Sequence, residues 1–233
     1  MHTSVNTTDI TPQIYARSAG LLYLIIIVCG ITGEVFIRSS LIVTGDATAT
    51  ASNIINSQGL FKLGLLFDLI MLISDVAIAV LFYALLKPVS KTLALMAAAF
   101  RLTQAAILGF NLLNYYAAFL LLNDTTGVTV FNAQQINAMA LLFITLHSYG
   151  YDLGLIFFAF SSVVLGYLLI RADYFPAFLG YGLIAAAAVY LSGSLMRFIL
   201  PEYLSAMQPA YVIPLLAELS FCLWLLVTGV KYE

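Results

Sequence analysis

Six long apolar runs, separated by short polar connections, constrain this chain more than any other feature of its sequence. A helix needs about 17–25 apolar residues to cross roughly 30 Å of hydrocarbon, and each run meets that length. Inside a bilayer the peptide groups of a segment must hydrogen-bond within the segment, so these runs predict helices. The sequence therefore predicts an all-α fold, a polytopic bundle of six transmembrane helices. The runs cover residues 19–37, 63–86, 93–122, 138–170, 178–200 and 211–230.

The composition agrees with a chain that lies almost entirely in the membrane. Hydrophobic residues make up 63% of the sequence and charged residues 9%, with a mean hydropathy of +1.04. A soluble domain carries about 25% charged residues, so a water-facing surface cannot be built here. We expect a polar N-terminal segment over residues 1–18 and one transmembrane domain over residues 19–230. The first 14 residues lack Lys and Arg, so we expect no cleaved signal peptide.

The connections predict the orientation of the bundle. Lys and Arg in short connections favour the cytoplasmic side of a membrane. Five such residues fall on one side and two on the other, which predicts that both termini are cytoplasmic. The two groups are Arg17, Lys87, Lys91, Arg171 and Lys231 against Arg38 and Lys62.

The longest connection, residues 38–62, is expected on the outer side. Asp46 precedes a stretch over 47–55 that suits a short helix, and an Asp at this position caps a helix by accepting backbone N–H groups. This helix would lie along the outer interface. The alternative is an ordinary surface loop.

Ionisable side chains inside the runs are the candidates for function. Each costs about 2.5–3.5 kcal/mol at the bilayer centre unless it has a partner or water. With cytoplasmic termini, Glu34, Asp68, Arg197 and Glu218 fall in the outer part of the bundle. We expect an outward-facing polar cavity lined by Glu34, His147, Arg197 and Glu218. The full candidate set is Glu34, Arg38, Asp68, Asp75, Arg101, His147, Asp152, Arg197 and Glu218.

Helical spacing groups some of these residues. Glu34 and Arg38 are four residues apart and can pair on one face, although Arg38 can instead extend to the outer headgroups. Asp68 and Asp75 are seven apart and share a face. In the third run, a polar stripe within roughly 80° of arc should face the interior. The stripe consists of Arg101, Gln104, Asn111 and Tyr115.

The embedded carboxyl groups outnumber the embedded arginines. Five acids accompany Arg101 and Arg197, and at least two acids lack a cation even when Arg38 is counted. Either some carboxyls are protonated at neutral pH, because burial disfavours the charged form, or they hold a cation or a cationic ligand. The competing interpretation is that the buried ion pairs only fix how the helices pack.

Several classes of function are disfavoured. The formal charge is −2, with no basic patch, so no nucleic-acid partner is expected. A GK[ST] phosphate loop and a G-x-S-x-G nucleophile elbow do not occur. The chain has 2 histidines, too few for the usual zinc, iron or haem sites, so neither a metal nor a cofactor is expected.

The order of several segments resembles a known family. The segments are AGLLYLIIIVCGITGEVFIRSSLIVTGDATATASNI, KLGLLFDLIMLISDVAIAVLFYALLKPVSKTLALMAAAFRL, HSYGYDLGLIFF and ELSFCLWLLVTGVK. Together they resemble the bacterial membrane family known as domain of unknown function 4386, over about residues 15–231. The resemblance implies a six-span protein of the bacterial inner membrane and brings no activity with it.

Two functions fit these features. The first is a membrane protein that binds a small cationic or lipid-like ligand in its cavity, as a transporter or a sensor, with membrane lipids as its other partners. The second is an intramembrane enzyme acting on a lipid or isoprenoid, with His147 as general base. The absence of a nucleophile or metal set favours the first. The sequence carries no signal for an oligomeric state.

Overall fold

The architecture is that of a computed structural model, which describes residues 12–123 and 130–230 of the chain. Within these residues every regular element is a helix and no strand occurs. Most of the predicted N-terminal segment 1–18 lies outside the described part of the chain, as do His2 and Lys231. The first helix already begins at Pro12, seven residues before the first apolar run.

The described part of the chain forms seven helices of eight or more residues, and six of them belong to segments long and apolar enough to cross a membrane, as predicted. Three short helical turns, Pro201–Tyr203, Leu204–Met207 and Gln208–Tyr211, lead into the last helix. The helices are α1 (Pro12–Leu41), α2 (Ala47–Asn56), α3 (Gln58–Leu86), α4 (Lys91–Leu122), α5 (Ala133–Arg171), α6 (Ala177–Ile199) and α7 (Val212–Val227).

Side-chain caps begin three of these helices, and at α4 the cap is Ser90, whose hydroxyl accepts from Leu93 N. Asp46 accepts a hydrogen bond from Ala49 N at 2.9 Å and caps α2, which confirms the predicted short helix and its cap. Asn132 and Gln135 form a capping box at the start of α5, each side chain accepting from the other's backbone N–H. Such caps satisfy N–H groups that have no partner within the helix.

The six spanning helices form a closed ring in chain order. Each packs against the next along the sequence, and α1 completes the ring by packing against both α3 and α7. The short helix α2 lies against α5, with smaller contacts to α3 and α4. Every spanning helix therefore presents one face to the interior of the ring.

The two ends of the described chain meet at one end of the bundle. Gln13 Nε2 donates to Thr228 O at 3.1 Å, and Val230 N donates to Gln13 Oε1 at 2.8 Å. Helix α2 follows one crossing and the turns before α7 follow five. Because both numbers are odd, these segments lie at the opposite end of the bundle. This opposite end is called the α2 end below.

The outer surface of the ring is apolar. Ile73 is 70% exposed and Phe110 77% exposed, each midway along a spanning helix. Many more exposed apolar side chains accompany them. Contact of such a surface with water is unfavourable, whereas contact with lipid tails is not. The polar stripe of α4 faces the other way, as predicted, because Arg101, Gln104, Asn111 and Tyr115 are all buried.

Candidate functional site

A pocket of about 770 Å³ opens in the bundle near its α2 end. Its walls come from α1, the connection before α2, α5, the end of α6 and the turns before α7. Aliphatic side chains such as Leu141, Ile144 and Leu155 form part of the wall. The polar lining residues are Glu34, Arg38, Ser39, Thr44, Thr145, His147, Ser148, Tyr151, Asp152, Arg197, Gln208 and Tyr211.

Helix α1 widens where it meets the pocket. Residues Thr32–Arg38 form a π-helix, a local expansion that recurs at functional sites. Gly33 suits this turn, because a Cβ there would lie 3.3 Å from Arg38 Nη2. The wide turn brings the guanidinium of Arg38 back over Gly33 and into the ring.

Arg38 joins two carboxylates at the pocket wall. Its Nε donates to Glu34 Oε2 at 2.7 Å, and its Nη1 donates to Asp68 Oδ2 at 2.8 Å. The side chains of Arg38 and Asp68 are buried, whereas that of Glu34 is 71% exposed. The expected pairing of Glu34 with Arg38 is confirmed, and the headgroup alternative for Arg38 is wrong. Arg38 pairs with two acids, so the formal charge of this triad is −1. Glu34 is its exposed member.

A second ion pair lies across the pocket. The carboxylate of Asp152 pairs with Arg197, and Ser194 Oγ donates to Asp152 Oδ1 at 3.3 Å. Arg197 Nη1 also donates to Ser148 Oγ at 3.1 Å, and its guanidinium lies 5.7 Å from the centre of the Tyr149 ring. This pair is balanced in charge and is held by neutral hydroxyl groups.

His147 faces the pocket and is held by Asn111. Asn111 Nδ2 donates to the carbonyl oxygen of His147 at 2.7 Å and lies 3.2 Å from His147 Nδ1. The Tyr115 ring packs against the imidazole, with 5.1 Å between ring centres. Within residues 12–123 and 130–230, no carboxylate hydrogen-bonds to the imidazole of His147.

With this geometry in place, the comparison with known proteins decides the family. The model of the family described as domain of unknown function DUF4386 matches residues 18–229. The chain belongs to the DUF4386 family. It is also 28% identical to an uncharacterized protein of Archaeoglobus fulgidus over 162 residues, which cover 70% of this chain and 81% of the relative. No solved structure matches the chain significantly.

The remaining candidates of this DUF4386 protein lie away from the pocket. Asp75 and Arg101 form an ion pair, with 2.6 Å between Arg101 Nη2 and Asp75 Oδ1. Gln104 Nε2 donates to Asp75 Oδ2 at 3.1 Å. The guanidinium of Arg101 lies 5.0–5.9 Å from the centres of three aromatic rings. The rings are those of Tyr23, Phe82 and Phe158.

Glu218 lies with this second group. Tyr190 Oη donates to Glu218 Oε1 at 2.8 Å, and the carboxyl interacts electrostatically with Arg101 and Asp75. The sequence placed Glu218 in the outer part of the bundle with Glu34 and Arg197. It lies deeper because its helix ends at Val227 and helical turns already begin at Pro201, so more of the span precedes it than the apolar run suggested.

The structure thus divides the predicted residues into two groups. Five candidates line the pocket, and Asp68 stands directly behind Arg38; the five are Glu34, Arg38, His147, Asp152 and Arg197. Asp75, Arg101 and Glu218 form the deeper group. In the described part of the chain, no set of three or more His, Cys, Asp and Glu side chains is arranged to hold a metal ion.

Sequence reasoning missed several pocket residues. Ser148 lies four residues before Asp152, and Tyr151 lies four residues after His147, so each shares a helical face with that candidate. That spacing was a usable signal. Tyr211 and Gln208 had none, because they come from short turns that no periodicity marks.

Proposed function

We propose that this protein binds a small hydrophobic cation in the pocket at its α2 end, as a carrier or a sensor of such molecules. The observation that carries the proposal is the Glu34–Arg38–Asp68 triad. Its excess negative charge resides at an exposed carboxylate inside a pocket of about 770 Å³. Ligand pockets in proteins measure about 300–1,000 Å³.

The chemistry of the walls defines the class of ligand. Glu34 offers a carboxylate that is open to the pocket, while Asp152 and Arg197 already neutralise each other. Tyr151 and Tyr211 add aromatic rings, whose faces attract organic cations. Leu141 and Leu155 favour an apolar body. An ammonium or phosphonium group on a hydrophobic framework satisfies all three walls.

The proposed setting is the cytoplasmic membrane of a bacterium, with both termini inside the cell and the pocket open to the outside. The Lys and Arg distribution supports this orientation. The relative in Archaeoglobus fulgidus is archaeal, so similarity to it does not by itself indicate a bacterial membrane.

Binding is favoured over the enzymatic alternative by the environment of His147. In many enzymes a carboxylate orients the histidine that acts as general base and stabilises its protonated form. Here the neutral amide Asn111 occupies that position. The ring is fixed in place, and its partner brings no negative charge to assist proton transfer.

Two probes of the same shape and opposite charge test the proposal. We expect tetraphenylphosphonium to raise the thermal unfolding temperature of the protein in nanodiscs, whereas tetraphenylborate should not. Ligand at 100 times its Kd stabilises a folded protein by about 2.7 kcal/mol. Glu34→Gln should weaken tetraphenylphosphonium binding about tenfold, which corresponds to about 1.4 kcal/mol.

Glu202→Gln is the matched control. Glu202 is also an exposed glutamate at the α2 end, in the turn Pro201–Tyr203, but it does not line the pocket. The variant should bind tetraphenylphosphonium like the unmodified protein. Equal stabilisation by both probes, or unchanged binding in Glu34→Gln, would show that the triad does not select cations.

A further inference from the structure

One embedded carboxyl group differs from the others in its partners. Arg38 engages Glu34 and Asp68, and the other two embedded arginines each engage one aspartate, as Asp75–Arg101 and Asp152–Arg197. Glu218 instead accepts a hydrogen bond from the neutral Tyr190. Among the described residues it is the embedded acid without an ion pair.

The position of Glu218 makes an unpaired negative charge costly. Helix α7 ends at Val227, nine positions after Glu218, which is about 14 Å of helix at 1.5 Å per residue. That distance places the carboxyl near the middle of a hydrocarbon layer about 30 Å thick. A carboxylate there needs a cation or water beside it, or it takes up a proton and becomes neutral.

The groups around Glu218 offer no free cation. Helix α1 contributes Tyr23 and α6 contributes Tyr190, while Cys222 lies one turn away on α7 itself. Asp75 on α3 and Arg101 on α4 interact electrostatically with the carboxyl group. The guanidinium of Arg101 is already held by Asp75 at 2.6 Å. A proton from water is therefore the cation that Glu218 can acquire without rearranging its neighbours.

We propose that Glu218 is a proton-binding site and that its proton exchanges with the cation in the pocket. The exchange rests on the proposed function, whereas the proton site does not. Glu218 takes up one proton from water on one carboxyl oxygen, and it releases that proton to water when a cation occupies the pocket.

Tyr190 and Tyr211 connect the two sites. Tyr190 donates to Glu218 Oε1 at 2.8 Å, and its ring packs against that of Tyr211 with 6.1 Å between the centres. Tyr211 lines the pocket. A hydrogen bond to a carboxylate is stronger than one to a neutral carboxyl group, so loss of the proton draws Tyr190 towards Glu218. A ligand that contacts Tyr211 and binds that arrangement more tightly favours the same movement, and the coupling is reciprocal.

Infrared difference spectroscopy tests the proton site without any ligand. At neutral pH we expect the carbonyl-stretching band of a protonated carboxyl group, which disappears at alkaline pH. The band should be absent in Glu218→Gln and unchanged in Glu202→Gln. Tyr190→Phe keeps the ring and removes the hydrogen bond, so the band should remain and move to higher frequency. A missing band in the unmodified protein, or a band that persists in Glu218→Gln, would overturn the proton site.

The exchange is tested by measuring tetraphenylphosphonium binding against pH. Release of one proton per cation predicts affinity that rises by about tenfold per pH unit while Glu218 is protonated. Glu218→Gln should bind the probe with a flat pH profile. A pH dependence that survives in Glu218→Gln would overturn the exchange. If the probe does not bind at all, the exchange fails together with the proposed function, and the infrared band decides the proton site separately.

Discussion

Replacing Arg101 with methionine should lower the free energy of unfolding by about 3–5 kcal/mol, the usual effect of breaking a buried ion pair. The variant leaves Asp75 in the interior of the membrane with only the amide of Gln104 as a partner. It also removes the guanidinium from the three aromatic rings that surround it. Denaturation by SDS in mixed micelles, followed by the fluorescence of Trp224, the single tryptophan of the chain, measures the change.

Two further variants make this result specific. Arg171→Met removes an exposed arginine at the end of α5 and should change stability by less than about 0.5 kcal/mol. The double variant Asp75→Leu and Arg101→Met removes both charges of this pair, so it should be more stable than Arg101→Met alone. If Arg101→Met unfolds at the same SDS fraction as the unmodified protein, Asp75 is not isolated from water.

Substituting Gly166 with alanine should destabilise the bundle by about 1–3 kcal/mol, the usual effect of overpacking a tight contact. A Cβ at Gly166 would lie 2.6 Å from the backbone oxygen of Gly180 on the neighbouring helix α6. Because the obstacle is main chain, α5 and α6 must move apart. Small residues at such crossings allow the backbones of membrane helices to approach closely. The same SDS titration measures this loss.

Gly109→Ala is the control for this prediction. Gly109 is also within a spanning helix, but a Cβ there would meet only Leu72 Cδ1 at 3.8 Å, an ordinary contact. Alanine has the higher helix propensity, by about 1 kcal/mol. The control should therefore be neutral or stabilising. Equal losses at both positions would mean that the close approach at Gly166 is not responsible.

The features predictable from the sequence are those that one helix determines alone. Hydrophobic length gave the six spans, because crossing a bilayer requires a fixed number of apolar residues. A local hydrogen bond gave Asp46 as the cap of α2. Helical periodicity gave the buried stripe that contains Arg101 and Asn111.

The features that escaped prediction depend on contacts between helices. The π-helix Thr32–Arg38 is stabilised by the bond from Arg38 to Asp68 on α3, and no periodicity in α1 reveals it. The depth of Glu218 depends on where the last span begins. The turns Pro201–Tyr211 contain two prolines together with the polar Glu202 and Gln208, so their sequence is typical of a connection outside the span.

The contact of Gln13 with Thr228 and Val230 has a consequence for the order of the helices in the chain. Because Gln13 meets Thr228 and Val230 at one side of a closed ring, the packing does not require any particular helix to come first in the chain. A circular permutant that joins the two ends and opens the short connection between α3 and α4 would keep every neighbour in place. It would also leave both new ends on the side where Gln13 and Val230 lie, so we expect the bundle to tolerate this change of helix order.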